Sequence, residues 1–213
     1  MTTEKLFYDD IIPSSPPSSS PPLVKVITDA DMFDAGVVER PLIHNFANNT
    51  HPGGPCSEFS PEGAFLWHDD RCKTQEDQVV VRFKDSIRFP HSLYPICTRA
   101  KVACLVHGTT PPVLTLPAPY RPDLSKREVR QDVVRRMHLA LYVAHKMERN
   151  LLTGLWGCGA FGANPAEMAE LWREALATAP AAPRMVCFCL RMDRFSKKWG
   201  ERAYEAFRSL AAS

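Results

Sequence analysis

Three glycines fall within six positions, Gly157, Gly159 and Gly162, between the apolar run LLTGLW (residues 151–156) and an Asn164-Pro165-Ala166-Glu167 segment. A strand that ends in such a turn and feeds a helix leaves backbone N–H groups unpaired at the positive end of the helix dipole. That is the chemistry of an anion site. Glycine permits positive φ and lets a ligand approach the main chain without side-chain interference. The spacing suits a diphosphate, although a plain tight strand-to-helix turn uses the same residues. Two common phosphate sites are excluded. No Lys-Ser or Lys-Thr follows the glycines, as a nucleoside-triphosphate P-loop requires, and the motif lies late in the chain, whereas a dinucleotide fingerprint follows the first strand. A second group, His51, Cys56, His68, Asp69, Asp70 and Cys72, offers metal-ligand chemistry, yet its spacing matches no compact zinc pattern. No metal and no cofactor are expected.

The elements that must position the glycine loop are readable around it. Asn164, Pro165 and Glu167 occupy the N-cap, N1 and N3 positions of a helix whose buried stripe is Met168, Leu171, Trp172 and Leu176. Upstream, the stretch from Ser125 predicts a long amphipathic helix, with Ser125 and Glu128 as a capping box and Val129, Val133, Met137, Leu141 and Ala144 on one face. Apolar runs bounded by turn residues predict strands in LVKVI, PLIHNFAN, KVACLVH, VLTLPAP, LLTGLW and RMVCFCL. DADMFDAGVV has helical spacing, which gives a β-α-β beginning, and residues 196–212 read as a last helix. Alternating strands and helices argue for an α/β fold: a mostly parallel sheet with helices on both faces. Residues 13–22 are only Pro and Ser, which bury no apolar surface, so residues 1–22 are expected to be a disordered tail and 23–213 one domain.

TGLWGCGAFGANP closely resembles the phosphate loop of the poly(ADP-ribose) glycohydrolases, especially the microbial type, which have the macrodomain fold. NFANNTHPGG, residues 45–54, resembles the same family's first ligand loop. VITDADMFDA and TLPAPYRPD are supporting matches, and the similarity covers about residues 23–195. The resemblance implies a three-layer α/β/α macrodomain with a mixed, mostly parallel sheet. It implies that Gly157, Cys158, Gly159, Ala160, Phe161 and Gly162 wrap the diphosphate of ADP-ribose, with Phe161 beside the distal ribose. Gly53 and Gly54 belong to the other ligand loop. Asn48 matches the family asparagine at the distal ribose, where an amide both donates and accepts; its competing role is to cap the strand-end turn. Asp31 matches the carboxylate that accepts from the adenine amino group, with a solvated helix-start aspartate as the competing reading.

Family catalysis uses one carboxyl group, first as acid on the leaving oxygen and then as base on water. It is the second glutamate of a Gln-Glu-Glu, for which the comparable triplet here is Gln75-Glu76-Asp77. Three departures stand out. Pro55 replaces the third glycine of the family's Gly-Gly-Gly, twenty residues separate Gly54 from Gln75, and Asp77 stands where a glutamate acts. Aspartate is one methylene shorter, a loss of about 1.5 Å of reach, and a displacement near 1 Å costs on the order of a hundredfold in rate. The implied function is hydrolysis of the ribose-ribose bonds of poly(ADP-ribose), with Asp77 or Glu76 catalytic. The alternatives are an ADP-ribose-binding module without turnover and an enzyme on a mono-ADP-ribosyl linkage.

Composition fits that outline. With 26 Lys plus Arg against 24 Asp plus Glu, the net charge of +2 gives no argument for general nucleic-acid binding. The expected partners are ADP-ribose or its polymer and ADP-ribosylated proteins, with a monomer as the default state. No segment reaches the roughly 18 apolar residues of a membrane span, and the start of the chain has no signal-peptide pattern. Seven cysteines with no Cys-x-x-Cys pair read as reduced thiols, Cys187 and Cys189 sharing one strand face, so an intracellular location, cytoplasmic or nuclear, is expected.

Overall fold

The structure, a computed structural model, describes residues 2–7, 21–28, 38–46, 102–107, 112–191 and 199–212. Seven strands form one sheet: β1 (Thr2–Phe7), β2 (Leu23–Thr28), β3 (Pro41–Asn45), β4 (Val102–His107), β5 (Val113–Thr115), β6 (Asn150–Gly154) and β7 (Met185–Leu190). Their spatial order is β1-β4-β5-β3-β6-β7-β2. The strands β5, β3, β6, β7 and β2 run parallel, while β4 is antiparallel to both of its neighbours. The sheet is therefore mixed and mostly parallel, as the alternation of strands and helices predicts.

Three helices are described: α1 (Arg127–Lys146), α2 (Pro165–Thr178) and α3 (Glu201–Arg208), the last continued by a 3-10 turn, Ser209–Ala212. Alternation along the strands divides the sheet cleanly. Leu42, Leu151, Val186, Phe188 and Leu190 face one side and join the core built with α1, α2 and α3. Ile43, Leu152, Cys187 and Cys189 face the other side, with Val38. Cys187 and Cys189 thus share one face as buried thiols. The helix expected from DADMFDAGVV, needed for the second helical layer, lies outside the described residues apart from Val38.

On the helical side, Trp156, Trp172, Phe188 and Phe207 make a chain of edge-on aromatic contacts, with successive centroids 6.4, 5.3 and 5.5 Å apart. All four rings are fully buried, so this chain ties the glycine loop to the sheet and to α3 through apolar burial.

Several boundaries differ from the sequence reading. The segment Thr2–Phe7 is not tail: it pairs antiparallel with β4 as the outer strand of the sheet. Six residues that include Glu4 and Lys5 carry little apolar signal, as is common for an edge strand. The Ser125–Glu128 capping box does not form. Ser125 instead gives both its N–H and its hydroxyl to the Asp123 carboxylate, at 3.3 and 2.6 Å. Helix α1 therefore starts later, with Lys126 as an N-cap that makes no side-chain cap bond. The run LLTGLW leaves the sheet at Gly154, and within the described residues from 199 onward the last helix runs from Glu201, after Gly200 at φ +54°. By contrast, the α2 start is as read: the Asn164 side chain accepts from the Ala166 N–H at 2.9 Å, and Pro165 opens the helix.

Candidate functional site

The strands β3, β5 and β6 are adjacent and parallel, so their carboxyl ends lie along one edge of the sheet. That edge is where open α/β sheets bind ligands. Three segments leave it: Asn45-Phe46, residues 116–122, and the glycine loop that connects β6 to α2.

Buried polar side chains join these three segments. His44 on β3 contacts the Thr153 hydroxyl of β6 through Nδ1 at 3.0 Å and the Leu116 carbonyl through Nε2 at 2.9 Å. A carbonyl only accepts, so Nε2 carries the proton and Nδ1 accepts from the hydroxyl. Burial pushes the His44 pKa down to about 4, against the smaller opposing effect of the Leu116 bond. The imidazole is therefore neutral at ordinary pH. The same Leu116 carbonyl accepts the Trp156 indole N–H at 2.9 Å. Asn45 donates to Thr115 Oγ1 at 3.3 Å, and its carbonyl accepts from the Leu116 N–H. Arg136 of α1, salt-bridged to Asp132, donates to the Pro117 carbonyl at 2.9 Å.

The glycine loop itself is held at a few fixed points. Gly157 and Gly162 take φ of +80° and +76°. Gly159 does not share that conformation, contrary to the expectation for all three glycines. Within the loop, Cys158 N–H bonds the Leu155 carbonyl, Gly162 N–H the Gly159 carbonyl and Ala163 N–H the Gly157 carbonyl. The Trp199 indole anchors the Cys158 carbonyl at 2.9 Å, and the buried Cys158 thiol turns back to the Trp156 carbonyl. The N–H groups of Gly157, Gly159, Ala160 and Phe161 have no acceptor among the described residues. Four donors unpaired among the described residues, beside the capped N-terminus of α2, are an arrangement whose chemistry suits an anion. Phe161 is half-buried, its ring edge-on to Tyr120 at 5.7 Å.

Of the site residues read from the sequence, Gly157, Cys158, Gly159, Ala160, Phe161 and Gly162 come together in this one loop. Asp31, Asn48, Gly53, Gly54, Gln75, Glu76 and Asp77 lie outside the described residues, as do His51, Cys56, His68, Asp69, Asp70 and Cys72. Among the described residues, no group of three His, Cys, Asp or Glu side chains is placed to hold a metal. None of the described helices is long and apolar enough to cross a membrane.

Sequence reasoning missed His44, Gly154, Arg136 and Trp199. His44 had a signal, a polar residue at a core-facing position of an apolar strand, which must find partners. So did Gly154, the last residue of β6: a Cβ there would meet the Cys189 carbonyl oxygen at 2.5 Å. Arg136 and Trp199 act through contacts distant in sequence, which no local pattern displays.

No protein-family model and no curated protein sequence matches the chain. Solved structures do. The poly(ADP-ribose) glycohydrolase of Thermomonospora curvata superposes with a TM-score of 0.66 at 19% identity, covering 98% of this chain and 85% of that one. A mutant of the Deinococcus radiodurans enzyme in complex with ADP-ribose gives 0.68 at 21%, covering 98% and 93%. The chain has the poly(ADP-ribose) glycohydrolase fold. Another Deinococcus radiodurans glycohydrolase complex with ADP-ribose agrees, with a TM-score of 0.67 at 20% identity over 99% of this chain and 94% of that one. These alignments span nearly all of this chain and most of each neighbour.

Proposed function

We propose that the chain hydrolyses the ribose-ribose O-glycosidic bonds of poly(ADP-ribose) and releases ADP-ribose. The observation that carries this reading is the glycine loop. Its four N–H groups without an acceptor among the described residues stand at the carboxyl edge of the sheet, in a fold whose Deinococcus radiodurans representatives are in complex with ADP-ribose. In this reading the loop N–H groups donate to the diphosphate, which fixes the distal ribose beside Phe161. One carboxyl group of Gln75-Glu76-Asp77 protonates the leaving ribose oxygen as positive charge develops on the sugar, then takes a proton from the attacking water. Asp31 and Asn48 recognise the adenine amino group and the distal ribose. The chain then acts on ADP-ribosylated proteins, and its seven cysteines without a Cys-x-x-Cys pair suit a reducing, intracellular compartment.

The altered triplet favours a second reading, an ADP-ribose-binding domain with little or no turnover of polymer or of mono-ADP-ribosyl linkages. Incubating the protein with poly(ADP-ribose) and, separately, with a mono-ADP-ribosylated protein discriminates them. The proposal expects polymer turnover in the wild type and its loss in D77N or E76Q, with ADP-ribose affinity retained. Tight ADP-ribose binding without turnover of either substrate establishes the binding domain. A wild-type protein that does not bind ADP-ribose overturns both.

A further inference from the structure

A cation stands beside the glycine loop. Arg121 is exposed and sits at φ +44°, a conformation that non-glycine residues rarely adopt. Its N–H donates to the Phe161 carbonyl at 2.8 Å, which fastens the 116–122 segment to the loop. Its Cγ lies 3.8 Å from where a Cβ of Gly162 would be, so the side chain runs along the glycine that closes the loop. The guanidinium carbon is 5.2 Å from the centroid of the Tyr120 ring, and Tyr120 is braced edge-on by Phe161. No carboxylate among the described residues pairs with this guanidinium; Asp123, two residues on, is engaged by Ser125 and Lys126.

The Arg121 guanidinium and the four N–H groups of the adjoining loop that have no acceptor among the described residues present the same, positive sign of charge. We propose that Arg121 is a phosphate-contacting residue of this site, its guanidinium pairing with the diphosphate that the loop N–H groups hold. The proposal rests on the reading of the loop as an ADP-ribose site and adds to it a side-chain charge. Backbone N–H groups hold a diphosphate by geometry. A guanidinium contributes charge-assisted, often bidentate bonds, and makes affinity depend on ionic strength. Tyr120 positions that fork by stacking, which lowers the cost of immobilising it on binding.

Isothermal titration of ADP-ribose, and of inorganic diphosphate as a probe without nucleoside or ribose, tests this with R121Q, R121K and R121G. The expected result is an affinity for ADP-ribose reduced about ten- to hundredfold in R121Q, with a flatter salt dependence and partial recovery in R121K. R121G separates binding from folding. Glycine accepts φ +44° without strain, so its melting temperature equals or exceeds that of the wild type while its affinity falls as in R121Q. A wild-type protein that binds ADP-ribose, with R121Q and R121G binding equally well at the same salt dependence, overturns the role of Arg121 and leaves the functional reading standing. A wild-type protein that binds neither ADP-ribose nor diphosphate overturns both.

Discussion

At Gly157 a Cβ would come within 3.0 Å of the Ala118 Cβ, and the backbone stands at φ +80°. Gly159, two residues on, is free of that conformational demand. The two glycines therefore predict different phenotypes. Gly157→Val combines left-handed strain, on the order of 1–2 kcal/mol, with a clash against the 116–122 segment, so thermal stability and ADP-ribose affinity fall together. Gly159→Val, at a backbone without left-handed strain, is expected to keep the melting temperature closer to the wild-type value than Gly157→Val does and to abolish detectable ADP-ribose binding by blocking approach to the loop N–H groups. Unchanged affinity in Gly159→Val would remove Gly159 from the ligand-contacting surface. The loop was legible in the sequence because glycine, proline and asparagine mark backbone demands at their own positions. The joint beneath it was not: His44, Thr153, Leu116 and Trp156 meet only after three strands have been laid side by side, and no local spacing encodes that meeting.

The two long helices were both readable from apolar stripes, but only one start was read correctly, and the difference is a competition for hydrogen bonds. Asn164 accepts from the Ala166 N–H and caps α2. Ser125 is captured by Asp123, which lies two residues before it and offers a charged acceptor in place of a backbone N–H that needs one. The residue left at the cap of α1 is Lys126, with extended backbone angles suited to a cap and a side chain that cannot accept a bond. Two outcomes follow from this. Asn164→Ala costs about 1 kcal/mol and loosens the first turn of α2, beside the loop N–H groups, so ADP-ribose affinity drops with stability. Lys126→Ser supplies the missing acceptor and raises stability by about 0.5–1 kcal/mol, measured by urea unfolding. A fall in stability on Lys126→Ser would mean that the Lys126–Asp123 pair, 3.5 Å apart and exposed, matters more than the cap.

Across the whole molecule, the sheet order and the packing of α1, α2 and α3 on one face converge on the carboxyl edge of β3, β5 and β6, and the residue on which that edge turns is titratable. In the unfolded chain His44 takes up a proton near pH 6.5; in the folded chain burial holds its pKa to about 4. Between those values the unfolded state binds more protons, so stability rises with pH through the window and falls as the solution is acidified from 6.5 toward 4. The full shift corresponds to about 3 kcal/mol. His138, bonded to the Thr178 hydroxyl and also shifted down mainly by burial, adds a contribution of the same sign. Because the His44 imidazole accepts from Thr153 through the nitrogen that must gain the proton, protonation replaces a hydrogen bond with a donor facing a donor or forces the hydroxyl to turn. Urea unfolding from pH 7.5 to 4.5 should show the wild type losing stability steeply below pH 6.5. His44→Gln, less stable at pH 7.5, should show a shallower loss, so that the two curves approach each other as the pH falls. Parallel curves would mean that His44 is not the group that sets the acid limit of the fold, and that the joint beneath the ligand loops tolerates a charged imidazole.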